Sequence, residues 1–395
     1  MNRRLLLFAL APVIAASVAH AGTPLVLGER LQLPSRVMGE ERTLLVSIPE
    51  SYARTARRYP VLYLTDAGAQ FEHTCATAAF LARNGFMPEV IVVGVTNTDR
   101  TRDLSPSRDP RFPTSGGADR FLDFFEKELV PFVESAYRTV PFRIFAGHSA
   151  GGNFALHAMR VKPELFQAVI AVSPWLVWDE RKELALLTPF LSGDGVKTRA
   201  LFFTSGDEGA EMRDVLAQLS SALRRSGSKG LRWGSANYPE ENHGSVVLRS
   251  HYAALRMIFD GWALPVDPAT ERIMGTLGEI KKRYADLSER LGWAIKPPEV
   301  AVNRLGYQAL AQNISLAISF FRYNAETYPE SANVHDSLGE ALEKSGALED
   351  ALQSYRKAED LGARNGDPNA GVFKANADRV RAALAQKALS RPARP

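Results

Sequence analysis

The sequence predicts an α/β fold with a mostly parallel central sheet, followed by a small all-α extension. Three observations predict it. Short β-branched runs alternate with helical patterns from about residue 25 to 259, several of those runs are apolar almost throughout, and strand signals vanish after Trp262. Near-continuous apolar runs are what strands covered on both faces look like. With 395 residues, 45% of them apolar and 23% charged, the chain can bury a large core and is far from the composition of disorder. Its length predicts two domains, or one large domain with an appendage.

Residues 1–21 stand apart. Arg3-Arg4 precede an apolar run over 5–16, and Ala19-His20-Ala21 puts small residues at positions −3 and −1 of a cleavage site. This is the pattern of a Sec-type signal peptide, and it predicts an exported protein of the bacterial periplasm. The apolar run is shorter than the roughly 20 residues a spanning helix needs, which argues against an uncleaved anchor, and no later stretch is a candidate span. The formal charge is +4, and Arg3 and Arg4 contribute two of those positives. The remainder is too small and too scattered for a nucleic-acid footprint. Cys75 is the only cysteine, so an intramolecular disulfide and thiolate metal clusters are excluded; no HExxH spacing is present, and no cofactor is expected.

In the domain expected over 22–264, the candidate strands are 43–48, 61–64, 90–95, 143–146, 168–172, 200–204 and 231–238. Phe121, Phe124, Phe125, Leu129 and Phe132 recur at helical spacing and predict a helix over 119–137. Pro265, Pro268, Pro297 and Pro298 bracket a helical linker at 265–298. Beyond it, over 299–388, the chain repeats itself. Leu305-Gly306-Tyr307 is echoed by Leu338-Gly339-Glu340, Ala317 by Ala351 and Phe321 by Tyr355, the last two pairs 34 residues apart. This resembles tetratricopeptide repeats, whose paired helices bury each other's small and aromatic positions. The first copy is one residue short and only two copies are convincing. Because such arrays need about three units, these helices are expected to pack on a further helix near 372–384 or on the first domain.

The sharpest chemical signal is Gly147-His148-Ser149-Ala150-Gly151, a match to G-x-S-x-G placed between the strand 143–146 and the helical run 154–159. A nucleophile elbow must turn sharply from strand into helix with its serine in a strained conformation; flanking glycines permit the turn and the close packing of helix on strand. Gly152 adds a third small residue there. The bland alternative is an incidental Gly-rich turn in which Ser149 caps a helix. A serine hydroxyl also needs a base. In the α/β-hydrolase order of Ser, acid, His, the base follows the serine. His20 lies in the leader and His73 precedes the serine. His148 is adjacent and expected to point away, His157 sits on the elbow helix, and His335 belongs to the repeats. His251 has helix-interior spacing with Ala254 and Leu255. His243, in the loop Glu240-Glu241-Asn242-His243-Gly244-Ser245 after the last strand, is the expected base.

The acid should follow the strand 200–204, in Ser205-Gly206-Asp207-Glu208-Gly209. Glu208 is preferred over Asp207, with Glu211 third; whichever is not used would serve as an N-cap or first-turn acid. An oxyanion hole needs two fixed backbone N–H groups. Ala150 offers one, and Ala67 or Gly68, after the strand 61–64, offers the other, unless that segment is a plain surface turn.

Together these residues resemble the esterase D and enterochelin-esterase-like group of α/β hydrolases. The likeness runs from about residue 36 to 262, on Pro60-Val61-Leu62-Tyr63-Leu64 leading to Asp66, Asn97-Thr98-Asp99-Arg100-Thr101-Arg102-Asp103-Leu104-Ser105-Pro106, Ala146-Gly147-His148-Ser149-Ala150-Gly151-Gly152, Ser173-Pro174 and Asn242-His243-Gly244-Ser245. The tail resembles the repeat extension of some bacterial members. The resemblance implies an α/β-hydrolase fold, Ser149 as nucleophile, His243 as base, and Ala67 and Ala150 as oxyanion donors. The sequence departs from the group in having Asp66-Ala67-Gly68 where members often have Asp-Gly-Asp, and Gly209 where members often place the acid. Within such a family Arg100 and Arg102 would bind an acidic or catecholate group, or else pair internally with Asp99 or Asp103. Trp175 and Trp178 would wall an aromatic or acyl pocket, or else belong to the core. The expected function is serine ester hydrolysis of a small-molecule ester, siderophore-type or aromatic acyl. The alternatives are acyl transfer by the same triad, and a binding protein that recruits a partner or itself through the repeats and carries a vestigial hydrolase domain.

Overall fold

The computed structural model describes residues 25–53, 55–227 and 230–389; the leader expected over 1–21 lies outside the described residues. An eight-stranded sheet runs β1 (Glu29–Ser35), β2 (Glu40–Ser47), β3 (Tyr59–Leu64), β4 (Ile91–Val95), β5 (Thr139–His148), β6 (Ala168–Val172), β7 (Ala200–Ser205) and β8 (Arg232–Asn237), in the spatial order β1-β2-β4-β3-β5-β6-β7-β8. β1, β2 and β4 pair antiparallel, and every pair from β4 through β3 to β8 is parallel. The α/β-hydrolase fold is therefore the fold of this chain. Every residue of β3, β4, β6 and β7 is buried, as their apolar runs require. β1 was not legible in the sequence. It is an edge strand whose side chains are mostly exposed, ERLQLPS, and its pairing rests on the turn at Gly39, where φ is 72°.

Helices cover both faces. On one lie α1 (Ala67–Arg83) and, near the end of the hydrolase portion, Val246–Ile258; on the other lie the helices between β4 and β8 that are named below. The helix expected over 119–137 is continuous but not uniform: Ala118–Phe124 passes through one π-turn, Phe125–Leu129, into Val130–Ala136. Pro131 is the physical reason. It has no N–H for the Lys127 carbonyl four residues back and its ring crowds the turn before it, so the ladder slips one residue and Val130 N–H bonds to the Phe125 carbonyl.

After residue 264 the chain is helical: Leu277–Leu291, opened by a reciprocal Thr276/Glu279 cap, then Glu299–Leu310, Ile314–Thr327, Ala332–Lys344, Leu348–Asn365 and Ala370–Leu389. The sequence echoes have a spatial meaning. A Cβ on Gly306 would lie 2.4 Å from the Phe321 ring, and one on Gly339 2.7 Å from the Tyr355 ring, so each helix pair uses the same small-on-aromatic contact. Phe373 and Ala377 of the last helix bury against this stack.

The core on the α1 face continues without a break into these helices. Trp293 meets Phe142 at 4.8 Å between ring centroids, Tyr284 Oη donates to the Trp262 carbonyl at 2.7 Å, and Arg199 Nη1 caps the Glu289 and Arg290 carbonyls at 3.0 Å each. Phe142 lies early in β5 and Arg199 immediately precedes β7. The extension thus docks at the N-terminal ends of the strands, and Ser149 lies beyond the opposite end of β5. Among the described residues no helix is long and apolar enough to cross a membrane.

Candidate active site

β5 ends at His148 and α2 (Ala150–Val161) begins at Ala150, so Ser149 alone makes the turn. Its φ and ψ are 59° and −117°, a conformation that costs a non-glycine residue about 1–3 kcal/mol. Neighbours hold it there. Ser149 N–H donates to the Val172 carbonyl at 2.9 Å, and its own carbonyl accepts from Asn153 and Trp175 N–H at 3.0 Å each. Of the two roles expected of the glycines, the turn and the close packing, these three serve the second, because none has positive φ. What they supply is space. A Cβ on Gly147 would lie 2.0 Å from the Gly151 carbonyl oxygen, one on Gly151 2.6 Å from Thr65 Oγ1, and one on Gly152 2.9 Å from Pro174 Cα.

His243 lies in the loop between β8 and Val246–Ile258. Asn242 Oδ1 accepts from Gly244 and Ser245 N–H at 2.9 Å each, which shapes the loop, and Asp207 N–H donates to the Glu241 carbonyl at 2.7 Å, which ties it to the segment after β7. Glu208 Oε1 is 3.2 Å from His243 Nδ1. The Glu208 side chain is 4% exposed, that of His243 49%. Burial pushes the Glu208 pKa up, but the imidazole, the Ser173 hydroxyl and the Gly206 N–H outweigh it and hold the carboxyl below its ordinary value. An ionised carboxylate only accepts, so Nδ1 carries the ring proton and Nε2 presents a lone pair. The fold brings Glu208, not Asp207, to this ring: the Asp207 side chain is exposed and only its backbone N–H serves the loop. Glu211 lies 3.8 Å from Arg181. Among the described residues nothing hydrogen-bonds the Ser149 hydroxyl; catalytic hydrogen bonds commonly tighten only in the complex with substrate.

Ala67 and Ala150 open α1 and α2, so each N–H lacks an intrahelical acceptor and sits at the positive end of a helix. Asp66, at φ 56°, makes the turn into α1. Its carboxylate accepts from Asn97 Nδ2 at 2.6 Å and from Arg100 Nε and Nη2 at 2.7 and 3.1 Å, and Arg100 Nη2 also reaches the His148 carbonyl at 3.2 Å. Arg100 therefore pairs with Asp66, and not with Asp99 or Asp103. Arg102 is engaged by Glu40 at 2.5 Å and Asp103 at 2.7 Å, and Asp103 in turn pairs with the buried Arg42 at 2.7 Å. Arg100 keeps 40% of its side chain exposed and faces the elbow; Arg102 belongs to a charge network behind it.

Trp178 is buried and its Nε1 donates to Ser107 at 3.2 Å. Trp175, half-buried, stands 5.2 Å from it, and Phe112 of the loop 106–117 completes the cluster at 5.2 Å from Trp178. The other histidines are occupied elsewhere. His157 is buried between Glu183 and Asp119 at 3.0 and 2.8 Å. His251 is buried against Thr74 Oγ1 at 3.0 Å, and burial pushes its pKa down to about 3. Sequence reasoning missed His148. Adjacency to the serine seemed to dismiss it, yet its Nε2 lies 2.7 Å from the His243 carbonyl oxygen. Its position inside the motif was the available signal.

Comparison with known proteins agrees with this fold. Residues 35–225 match the family described as "Putative esterase". The siderophore enterobactin esterase of Emericella nidulans is 30% identical over 249 residues, 50% of this chain and 81% of that one. The ferri-bacillibactin esterase BesA of Bacillus subtilis is 30% identical over 217 residues, 48% of this chain and 75% of that one. An IroE-like serine hydrolase from Shewanella oneidensis superposes with a TM-score of 0.68 at 30% identity, covering 76% of this chain and 99% of its own. On this likeness the chain belongs to that enterochelin-esterase-like family and is a carboxylic ester hydrolase of the α/β-hydrolase type.

Proposed function

We propose that this protein hydrolyses a siderophore ester, with Ser149 as nucleophile, His243 as general base and Glu208 as the acid that orients it. The observation that carries the reading is the His243 imidazole held on Glu208 by Nδ1, which leaves its Nε2 lone pair available for proton transfer. Ser149 Oγ attacks the ester carbonyl and gives its proton to His243 Nε2. The tetrahedral oxyanion is received by the Ala67 and Ala150 N–H groups at two helix N-termini. His243 then protonates the departing alcohol, and water, activated by the same nitrogen, releases the acyl group as the acid.

The substrate class is supported by the siderophore esterases among the relatives and by the aromatic wall of Phe112 and Trp175 beside the elbow. Export through residues 1–21 belongs to the same reading, and a mature N-terminus at Gly22 in a periplasmic fraction checks it. The decisive experiment compares wild type with Ser149→Ala on short p-nitrophenyl esters and on a catecholate trilactone. The variant is expected to lose about 10⁴ to 10⁶ in rate on both; unchanged hydrolysis by it ends the proposal. Released acid, with no ester formed on an added alcohol, is the expected product.

A further inference from the structure

Catalysis by His243 requires its ring to arrive at Ser149 in one orientation, and misplacement by about 1 Å can cost about a hundredfold in rate. This inference rests on the triad reading above. Glu208 holds only the Nδ1 edge, and the loop that carries His243 leaves half of its side chain exposed. Besides the Asn242 bonds and the Asp207 tie to Glu241, a further constraint comes from residue 148. Its Nε2 lies 2.7 Å from the His243 carbonyl oxygen. A carbonyl only accepts, so Nε2 carries the proton and donates. The two rings lie 4.7 Å apart, centroid to centroid, inclined by 45°. The His148 carbonyl is gripped in turn by Arg100, which also holds Asp66, the residue before Ala67. Residue 148 thus contacts the base-bearing loop through its side chain and, by way of Arg100 on its backbone carbonyl, is linked to the turn into α1.

We propose that His148 is a positioning residue that fastens the His243 loop to the nucleophile elbow and so sets the aim of the base on Ser149. The chemistry asks for a neutral ring at this place. Acylation turns His243 into an imidazolium, and a second cation 4.7 Å away would oppose it. The groups facing His148 are His243, Asp66, Arg100 and, from Val246–Ile258, His251. Burial first, and the neighbouring His243 next, push the His148 pKa down to about 4, so the ring donates without carrying charge across the range where an imidazole base is effective.

The test uses the full chain with four variants: His148→Phe, which keeps a ring and removes the donor; His148→Gln, whose amide N–H reaches about as far as Nε2; His148→Asn, which falls short; and His243→Ala as the control for the triad. The expected result is a fall in kcat of about 10- to 100-fold for Phe, with KM within about threefold, equal slowing of fluorophosphonate labelling, and recovery of most of the loss by Gln but not by Asn. The pKa read from kcat/KM is expected to be the same in wild type and Gln, because the lost ring is uncharged. Should the Phe variant fail to fold, the comparison of Gln with Asn carries the same test. Wild-type kcat in the Phe variant, or Gln no better than Asn, overturns the proposal, and so does a loss of about 10⁴ or more in Phe, which would make His148 the base itself. If His243→Ala retains turnover, the triad reading has failed; if it is inactive while His148→Phe is fully active, only the positioning role has failed.

Discussion

Replacing Glu208 by Gln changes one atom of the site and asks whether this carboxylate orients the base. Glu208 Oε1 sits 3.2 Å from His243 Nδ1 on a side chain that is 4% exposed. An amide in that position can offer N–H to Nδ1. The ring proton then moves to Nε2, where it blocks acceptance of the serine proton, and the charge that steadies the imidazolium is gone. A wrong tautomer of this kind costs about 10⁴ in kcat, which is about 5 kcal/mol of transition-state stabilisation at about 1.36 kcal/mol per decade. Asp207→Asn is the matched control. The Asp207 side chain is exposed, and its contact to the Glu241 carbonyl is made by the backbone, so turnover should stay within about twofold, as for an ordinary surface change. Both variants are assayed by kcat/KM on p-nitrophenyl butyrate at pH 8, where the Glu208 carboxyl, held below its ordinary pKa, is ionised in the wild type. Fluorophosphonate labelling gives an independent reading of serine reactivity. A larger loss in Asp207→Asn than in Glu208→Gln would refute the reasoning.

Stability should fall as pH drops from about 6.5 toward 4. His251 and His148 are held down to about 3 and 4 by burial, so in this window the unfolded chain binds protons that the folded chain does not, and unfolding becomes easier. At pH 5 each histidine accounts for about 2 kcal/mol relative to pH 6.5; urea unfolding at pH 7 and 5, with His251→Leu expected to flatten the difference, measures this, and equal pH dependence in the variant would contradict it. Gly339→Ala should destabilise the protein by about 1–3 kcal/mol, since the added Cβ would stand 2.7 Å from the buried Tyr355 ring. Its kcat should be unchanged because the extension docks at the far end of the sheet; a parallel fall in kcat below the melting transition would show that the two ends are coupled.

Much of the hydrolase fold was legible along the chain because its signals are local. Buried parallel strands betray themselves as apolar runs, and the elbow as a pentapeptide between strand and helix. The failures have equally local causes. β1 has an edge strand's mixed composition, and the π-turn arises where Pro131 interrupts a pattern whose apolar spacing is otherwise helical. The repeat echoes of Gly306 with Phe321 and Gly339 with Tyr355 were visible as spacing and turn out to be one packing contact made twice.

What the amino-acid order determined by itself was the periodicity of each element, the space demanded at the elbow, and which residue types could perform ester chemistry. Only the tertiary structure decided which of them meet. Glu208 and Asp207 are neighbours in the chain, but one side chain points into the sheet rim and the other into solvent. His148 finds a partner 95 residues away, and Arg100 turns to Asp66 past two nearer acids. Such pairings depend on the order in which strands assemble side by side, and that order is set by the summed burial of the whole core, a quantity no short stretch of sequence contains.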